Sequence, residues 1–235
     1  MVVTKFLNQK IFMRTTTFKC LLTLFAILVV TCSYSQVKES EKIDASAKVL
    51  SDFIVMKDKI PQQLLEITEG IIVIPKLINA GFVLAGKRGK GIAVVKKEDG
   101  SWSDPAFITL TGGSLGFQAG VQSVDLVLIF KNRETLEKIG NGSFTLGGDI
   151  SVTAGPVGRN SSASTDYKLE AEVYSYSRSK GLFAGISLSG SALDVDEKSN
   201  NAFYGEEIDA DGIFSSEAKE DASIASLKKT LNDMQ

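Results

Sequence analysis

Thr111-Gly-Gly-Ser-Leu-Gly-Phe-Gln-Ala-Gly-Val-Gln-Ser-Val-Asp-Leu-Val-Leu-Ile-Phe130 is the stretch that decides the fold. Gly112, Gly113, Gly116 and Gly120 interrupt its first half, and Val124 to Phe130 is apolar apart from Asp125. A Val- and Ile-rich run of that length after a turn signal predicts a buried strand. Repeated glycine ahead of it marks close backbone approach, a bulge or a sharp bend. The stretch therefore predicts the tightly curved centre of a β-rich core, with Asp125 at its edge or inside it.

Downstream, Asn132 caps a short helix that ends near Ile139, with Gly140 as its stop. Phe144 to Ala154 reads as a glycine-broken strand holding Asp149, and residues 155–160 as a turn. Tyr167 to Tyr176 alternates, which predicts a strand with Tyr174 and Tyr176 on a wet side. Arg178-Ser179-Lys180-Gly181 reads as a turn and Leu182 to Leu188 as the returning strand. Phe203-Tyr204-Gly205 closes the patterned region. Ile224, Leu227 and Leu231 give a weak C-terminal helix, expected to be loosely attached.

Upstream, Phe107 to Leu110 leads into the central stretch, and Trp102 is read as a lid on the core. Ala80 to Leu84 and Gly91 to Val95 read as strands joined by Gly86-Lys87-Arg88-Gly89-Lys90. That junction lacks the Gly-x4-Gly-Lys-Ser/Thr spacing of a P-loop. It is either a solvated hairpin turn or an anion-binding tip using Lys87, Arg88 and Lys90. Ile71 to Ile74 reads as a short strand stopped by Pro75. Pro61 opens a helix that Gly70 ends. From Gln36 to Lys59, Ile43, Ala47, Leu50 and Ile54 recur at helical spacing, with Phe53 beside them. The polar face of that helix mixes both charge signs, so packing on the core competes with a membrane-surface reading.

Residues 1–35 have the three-part layout of a secretory signal peptide. Arg14 and Lys19 precede the apolar run Cys20 to Val30, and Ser33-Tyr34-Ser35 offers small residues before Gln36. Met13 is an alternative start. As a helix the run would span only ~16 Å, against a hydrocarbon core of ~30 Å. Localisation is therefore expected in the periplasm or cell envelope. Val29-Val30-Thr31-Cys32 also resembles a lipobox, so lipidation at Cys32 is the less favoured alternative to cleavage before Gln36.

The 235-residue chain has no histidine, and its two cysteines fall in residues 1–35. Histidine acid–base chemistry, cysteine chemistry and the common zinc sites are thereby excluded for a chain beginning at Gln36. That segment holds four basic residues and no acid, leaving 22 basic against 28 acidic residues. A net charge of −6 argues against nucleic acid as partner. Asp104, Asp125, Asp149 and Asp166 lie near predicted strand ends, but no spacing pairs them for glycosidase work or calcium. Asp125 and Asp149 read as acids bonded to turn amides. No enzyme, cofactor or metal is expected.

The expected fold is α+β: a single β-rich domain, its strongly curved, mainly antiparallel sheet or barrel preceded by N-terminal helices. The expected divisions are 1–35 (signal peptide), 36–59 (amphipathic helix), 60–205 (domain) and 206–235 (tail with a short helix).

Gly113-Ser114-Leu115-Gly116-Phe117-Gln118-Ala119-Gly120 and Ser123-Val124-Asp125-Leu126-Val127-Leu128 resemble the centre of the SYLF domain. Further blocks follow in family order, including Trp102-Ser103-Asp104-Pro105-Ala106-Phe107, Ala154-Gly155-Pro156-Val157-Gly158-Arg159 and Ser175-Tyr176-Ser177-Arg178-Ser179-Lys180-Gly181-Leu182-Phe183. The resemblance covers roughly residues 60–205. It implies phospholipid or phosphoinositide binding and, in some eukaryotic members, actin binding; it does not suggest catalysis. On this basis a phospholipid membrane surface or lipid ligand is the expected partner. The expected contacts are Lys87, Arg88, Lys90, Arg178 and Lys180 for the head group and Phe183 for the apolar part. The alternative is a structural envelope module that binds another protein.

Overall fold

The structure, a computed structural model, describes residues 36–56, 60–81, 84–115, 120–140, 144–155, 170–179, 182–183, 186–205 and 207–234. The expected signal segment 1–35, the loop 156–169 with Asp166, and Lys180 lie outside the described residues; so does the side chain of Phe183.

Four long strands form the centre: β1 (Gly70–Gly81), β2 (Leu84–Val95), β3 (Ala106–Leu115) and β4 (Gly120–Phe130). They pair antiparallel in the order β3-β2-β1-β4. This is a Greek key, in which the fourth strand returns to lie beside the first. Within the opening stretch, Thr111 to Leu115 therefore end β3 and Gly120 to Phe130 form β4, with β2 and β1 between them in the sheet. Five further strands complete a curved nine-stranded sheet: β5 (Phe144–Leu146), β6 (Val152–Ala154), β7 (Val173–Ser179), β8 (Leu182–Phe183) and β9 (Ser191–Val195). Its path is β5-β9-β3-β2-β1-β4-β7-β6, with β8 on β7, and all pairs are antiparallel except β6 with β7. The α+β single-domain expectation holds.

Both faces of the sheet are covered, so β1 and β4 read as continuous apolar runs rather than alternating ones. One face (Ile71, Val73, Ile92, Val94, Val127, Ile129) meets α1 (residues 36–55), which buries Ile43, Ala47, Leu50 and Phe53. The same face holds α2 (Gln62–Glu66) and Trp102. The opposite face (Ile72, Ile74, Leu126, Leu128, Phe130) meets α3 (Arg133–Gly140). Beyond β9 follow α4 (Glu197–Tyr204), α5 (Ala210–Ser215) and α6 (Ala222–Met234). The tail is not loosely attached: Ile224, Leu227 and Leu231 of α6 are fully buried in the α1-side core.

Several elements differ from their expected form. Pro75 does not stop β1, because it falls at a bulge between Ile74 and Leu77, where the missing N–H breaks no ladder bond. Lys76 in that bulge has φ 54. Gly86 to Lys90 is not a hairpin turn but the middle of β2. Two β2 glycines mark close approach instead: a Cβ on Gly91 would collide with the Val73 carbonyl, and one on Gly89 would lie 2.5 Å from Ile74 Cγ2. The stretch 144–154 divides into β5 and β6 at a turn where Gly147 has φ 79. Gly70 opens β1 rather than ending α2. Arg178 and Ser179 belong to β7, not to a turn, and Tyr174 and Tyr176 are buried rather than wet, because α1 and α2 cover that face.

Candidate functional site

Strand alternation separates the expected basic cluster. Lys87 lies on the α3 side of β2, while Arg88 and Lys90, at alternate positions, lie on the other face. Arg88 stands opposite Ile78 on β1 and Thr111 on β3, so it projects from the α1-side face beyond the helices. Lys87 is only 5% exposed; its amine donates to the Ser187 carbonyl, and burial pushes its pKa down. Lys90 is exposed but ion-paired with Asp196 at 2.5 Å. Burial alone would raise the Asp196 pKa. Hydrogen bonds from Lys90 and Ser199 outweigh it and hold the carboxyl below the usual range.

Arg178 is also committed inside the domain. Its guanidinium meets Asp125 at 2.9 Å and Asp52 of α1 at 2.5 Å, and it lies 5.6 Å from the Phe53 ring centroid. The Phe183 backbone pairs with Arg178 in the β7–β8 ladder. Asp125 also accepts the Lys76 N–H at 3.1 Å, and Asp149 accepts the Thr145 N–H at 2.7 Å. Both acids thus bind backbone amides, and Asp125 adds a cation.

Of the expected head-group residues described, only Arg88 is exposed without an ion pair. The structure brings it together with residues that periodicity did not single out. Ile78 lies opposite Arg88 and Ser123, and Ala80 opposite Val121, all on one sheet face. Ile78 is 40% and Val121 77% exposed. The result is an arginine among apolar and small polar side chains on a rigid sheet. Isolated surface apolar residues mean little, but several on one face beside an arginine resemble the composition of interface cores. Register is the missing signal: Ile78 and Val121 lie over 40 positions apart, and only strand pairing makes them neighbours.

Among the described residues no group of three or more acidic, histidine or cysteine side chains could hold a metal ion, and no helix is long and apolar enough to cross a membrane. A cleft of about 190 Å³ between α1, α2 and α6 is lined by Phe53, Ile60, Leu65 and Met234.

A family model described as "Ysc84: Las17-binding protein actin regulator" matches residues 111–234. "LAS seventeen-binding protein 3" of Saccharomyces cerevisiae is 34% identical over 200 residues, which cover 84% of this chain and 43% of the yeast protein. "Protein YSC84" of the same organism is 36% identical over 183 residues, covering 74% and 39%. "SH3 domain-containing YSC84-like protein 1" of Homo sapiens is 33% identical over 194 residues, covering 80% and 56%. The chain spans about half the length of these relatives or less. The family model is described by binding and regulation, and two of these relatives are named for binding or for an SH3 domain; none of the three is named as an enzyme.

Proposed function

Because this chain belongs to the Ysc84 (SYLF) family, we propose that it is a non-catalytic binding module whose main partner is another protein. The observation that carries this reading is the patch of Ile78, Arg88, Val121 and Ser123 at the exposed end of the α1-side sheet face. Arginine with exposed aliphatic groups on a rigid surface suits a protein contact, where it can meet carbonyls and carboxylates while apolar area is buried. The name of one yeast relative, "LAS seventeen-binding protein 3", specifies a bound protein and supports the same class of function. The signal-peptide-like pattern of residues 1–35 supports a cell-envelope location for the module under this reading.

The test is retention of envelope proteins from the producing cell on the full chain, with purified filamentous actin run in parallel. The expected result is a stoichiometric partner lost on Ile78→Asp/Val121→Asp and kept on Lys138→Glu, which changes an exposed charge elsewhere. Retention that ignores the double substitution overturns the assignment.

Phospholipid contact is the second reading, favoured by Arg88 and by Leu182, which is 74% exposed next to Phe183. Ion pairing of Arg178 and Lys90 weakens it, since each would have to abandon a carboxylate to meet a head group. Flotation on anionic but not neutral vesicles, lost with Arg88→Glu, would favour it over a protein partner.

A further inference from the structure

The end of α1, the start of α2 and the end of α6 converge on one cleft of about 190 Å³. Each element arrives by its apolar period. In α1, Phe53 continues the buried stripe of Ile43, Ala47 and Leu50, and Ile54 stands beside it, half-buried. In α6 the stripe of Ile224, Leu227 and Leu231 runs on to Met234, the last residue of the helix. Ile60 and Leu65 flank Pro61, the N-cap of α2. Phe53, Ile60, Leu65 and Met234 are each 7% exposed or less, so the walls of the cleft belong to the core.

The rim carries charge of one sign. Gln62 and Asp233 complete the lining, and no described basic residue is part of it. Asp233 is exposed and makes no ion pair among the described residues. Asp52, Asp104, Asp125 and Asp196 are by contrast each held by an arginine or a lysine. Two helix C-termini add to the negative field. The last four carbonyls of α1 and of α6 have no partner within their helices, and the macrodipole places partial negative charge there. No basic residue in the last turn of α6 offsets this. α2 begins at the cleft and brings N–H groups, but it is five residues long, and the Pro61 carbonyl takes those of Leu64 and Leu65. The rim therefore favours a cation.

Volume and lining set the body of that cation. An apolar cavity of about 150 Å³ lined by Leu, Ile and Phe holds benzene. At 190 Å³ the cleft takes a ring or chain of about six carbons and leaves one polar group at the rim. A bare metal ion does not suit it, because Phe53, Ile54, Ile60, Leu65 and Met234 offer no side-chain oxygen and Asp233 is the one carboxylate in the lining. We propose that this cleft binds a small primary amine on an apolar body of about six carbons, such as an arylalkyl or cyclohexyl amine. The hydrocarbon displaces water from Phe53, Ile60, Leu65 and Met234. The ammonium stays at the rim, where it donates to Asp233 and to carbonyls at the end of α6. The site shares no residue with the Arg88 patch, so either can fail alone.

The probe is benzylamine, titrated into the full chain at neutral pH, where a primary amine is protonated. The Met234 methyl is followed by NMR, its signal assigned by loss in Met234→Leu. Benzyl alcohol keeps the ring without the charge, and benzoate reverses the charge. The expected result is a saturable shift of the Met234 signal, with half-saturation about threefold lower for benzylamine than for benzyl alcohol, as suits an exposed ion pair. Benzoate should not saturate. Asp233→Asn should erase the preference for the amine and keep the weaker binding of the alcohol. Ile54→Trp should fill the cleft and abolish both responses. Asp233 is exposed, so Asp233→Asn keeps the test valid if Ile54→Trp fails to fold. No saturable shift at Met234, equal half-saturation by benzylamine and benzyl alcohol, or an undiminished preference in Asp233→Asn overturns the proposal.

Discussion

Arg178 donates from Nε and Nη2 to one carboxylate oxygen of Asp125, at 3.1 and 2.9 Å, and Nη2 also reaches Asp52 at 2.5 Å. The other Asp125 oxygen accepts the N–H of Lys76, the bulge residue with φ 54. One side-chain pair thus ties together β7, β4, the β1 bulge and α1. Arg178→Met leaves Asp125 without a cation and Asp52 with only the exposed Lys48, at 3.6 Å. Both acids keep some solvent access, at 28% and 23%, so the expected loss is about 1–3 kcal/mol rather than the full cost of a buried pair. Urea unfolding measures it, and a loss below about 0.5 kcal/mol would show the pair to be ornamental.

Gly86 and Gly91 lie on the same strand but predict opposite outcomes. A Cβ on Gly86 meets nothing within 4 Å, whereas one on Gly91 collides with the backbone of Val73. Gly86→Ala should change stability by less than about 1 kcal/mol. Gly91→Ala must displace β1 and should cost more than about 3 kcal/mol or abolish soluble expression. Similar chemical-denaturation midpoints for the two variants would contradict the close approach.

The strength of β1 and β4 was legible because Ile71 to Ile74 and Val124 to Phe130 are apolar on both faces, which only a covered central strand tolerates. The helical spacing of Ile43, Ala47 and Leu50 likewise predicted a packed α1, and each is buried. What failed was the reading of glycine and proline as punctuation. Pro75 sits in a bulge within β1, and Gly91 of β2 answers to the backbone of Val73, a partner 18 positions away. The basic residues failed for a related reason. Lys87 and Arg88 are neighbours in sequence but opposite in a strand, and whether Arg178 is free depends on Asp52, 126 positions away. Charge clustering along the chain therefore overstated clustering in space.

Tyr204 and Tyr176 predict alkaline instability. Burial pushes both phenols above their ordinary value, and nearby acids add to the effect at Tyr204. A raised folded-state pKa leaves stability intact below the unfolded value of about 10 and removes it as pH rises further. Lys87 has the opposite sign: with its folded pKa lowered, stability grows as pH approaches the unfolded lysine value. Tyr204 donates to the Pro105 carbonyl at 2.8 Å, so Tyr204→Phe should cost about 1 kcal/mol at neutral pH. Above pH about 10 it should flatten the decline by up to about 1.4 kcal/mol per pH unit. Unfolding free energies measured on both sides of pH 10 check this, and an unchanged slope refutes it.

Asp104 makes the sharpest prediction about the C-terminal helix. Its carboxylate is 1% exposed and accepts from the Lys228 amine at 2.6 Å and the Lys219 N–H at 2.7 Å. It therefore clasps α6 and the segment before it to the start of β3. Asp104→Asn keeps the shape but removes the charge, leaving the Lys228 amine without its counter-ion. The expected global loss is about 2–4 kcal/mol, because the acceptor is fully buried while the amine keeps partial solvent access. The local effect should be larger than the global one at α6, since Leu227 and Leu231 are held on the core by the helix that Lys228 anchors. Amide hydrogen exchange resolves the two: protection in residues 222–234 should fall well before that in β1 and β4. Lys229→Met, on the exposed side of the same helix, is the control and should stay within about 0.5 kcal/mol. If Asp104→Asn lowers protection evenly across sheet and helix, the carboxylate supports the core as a whole and the clasp is refuted.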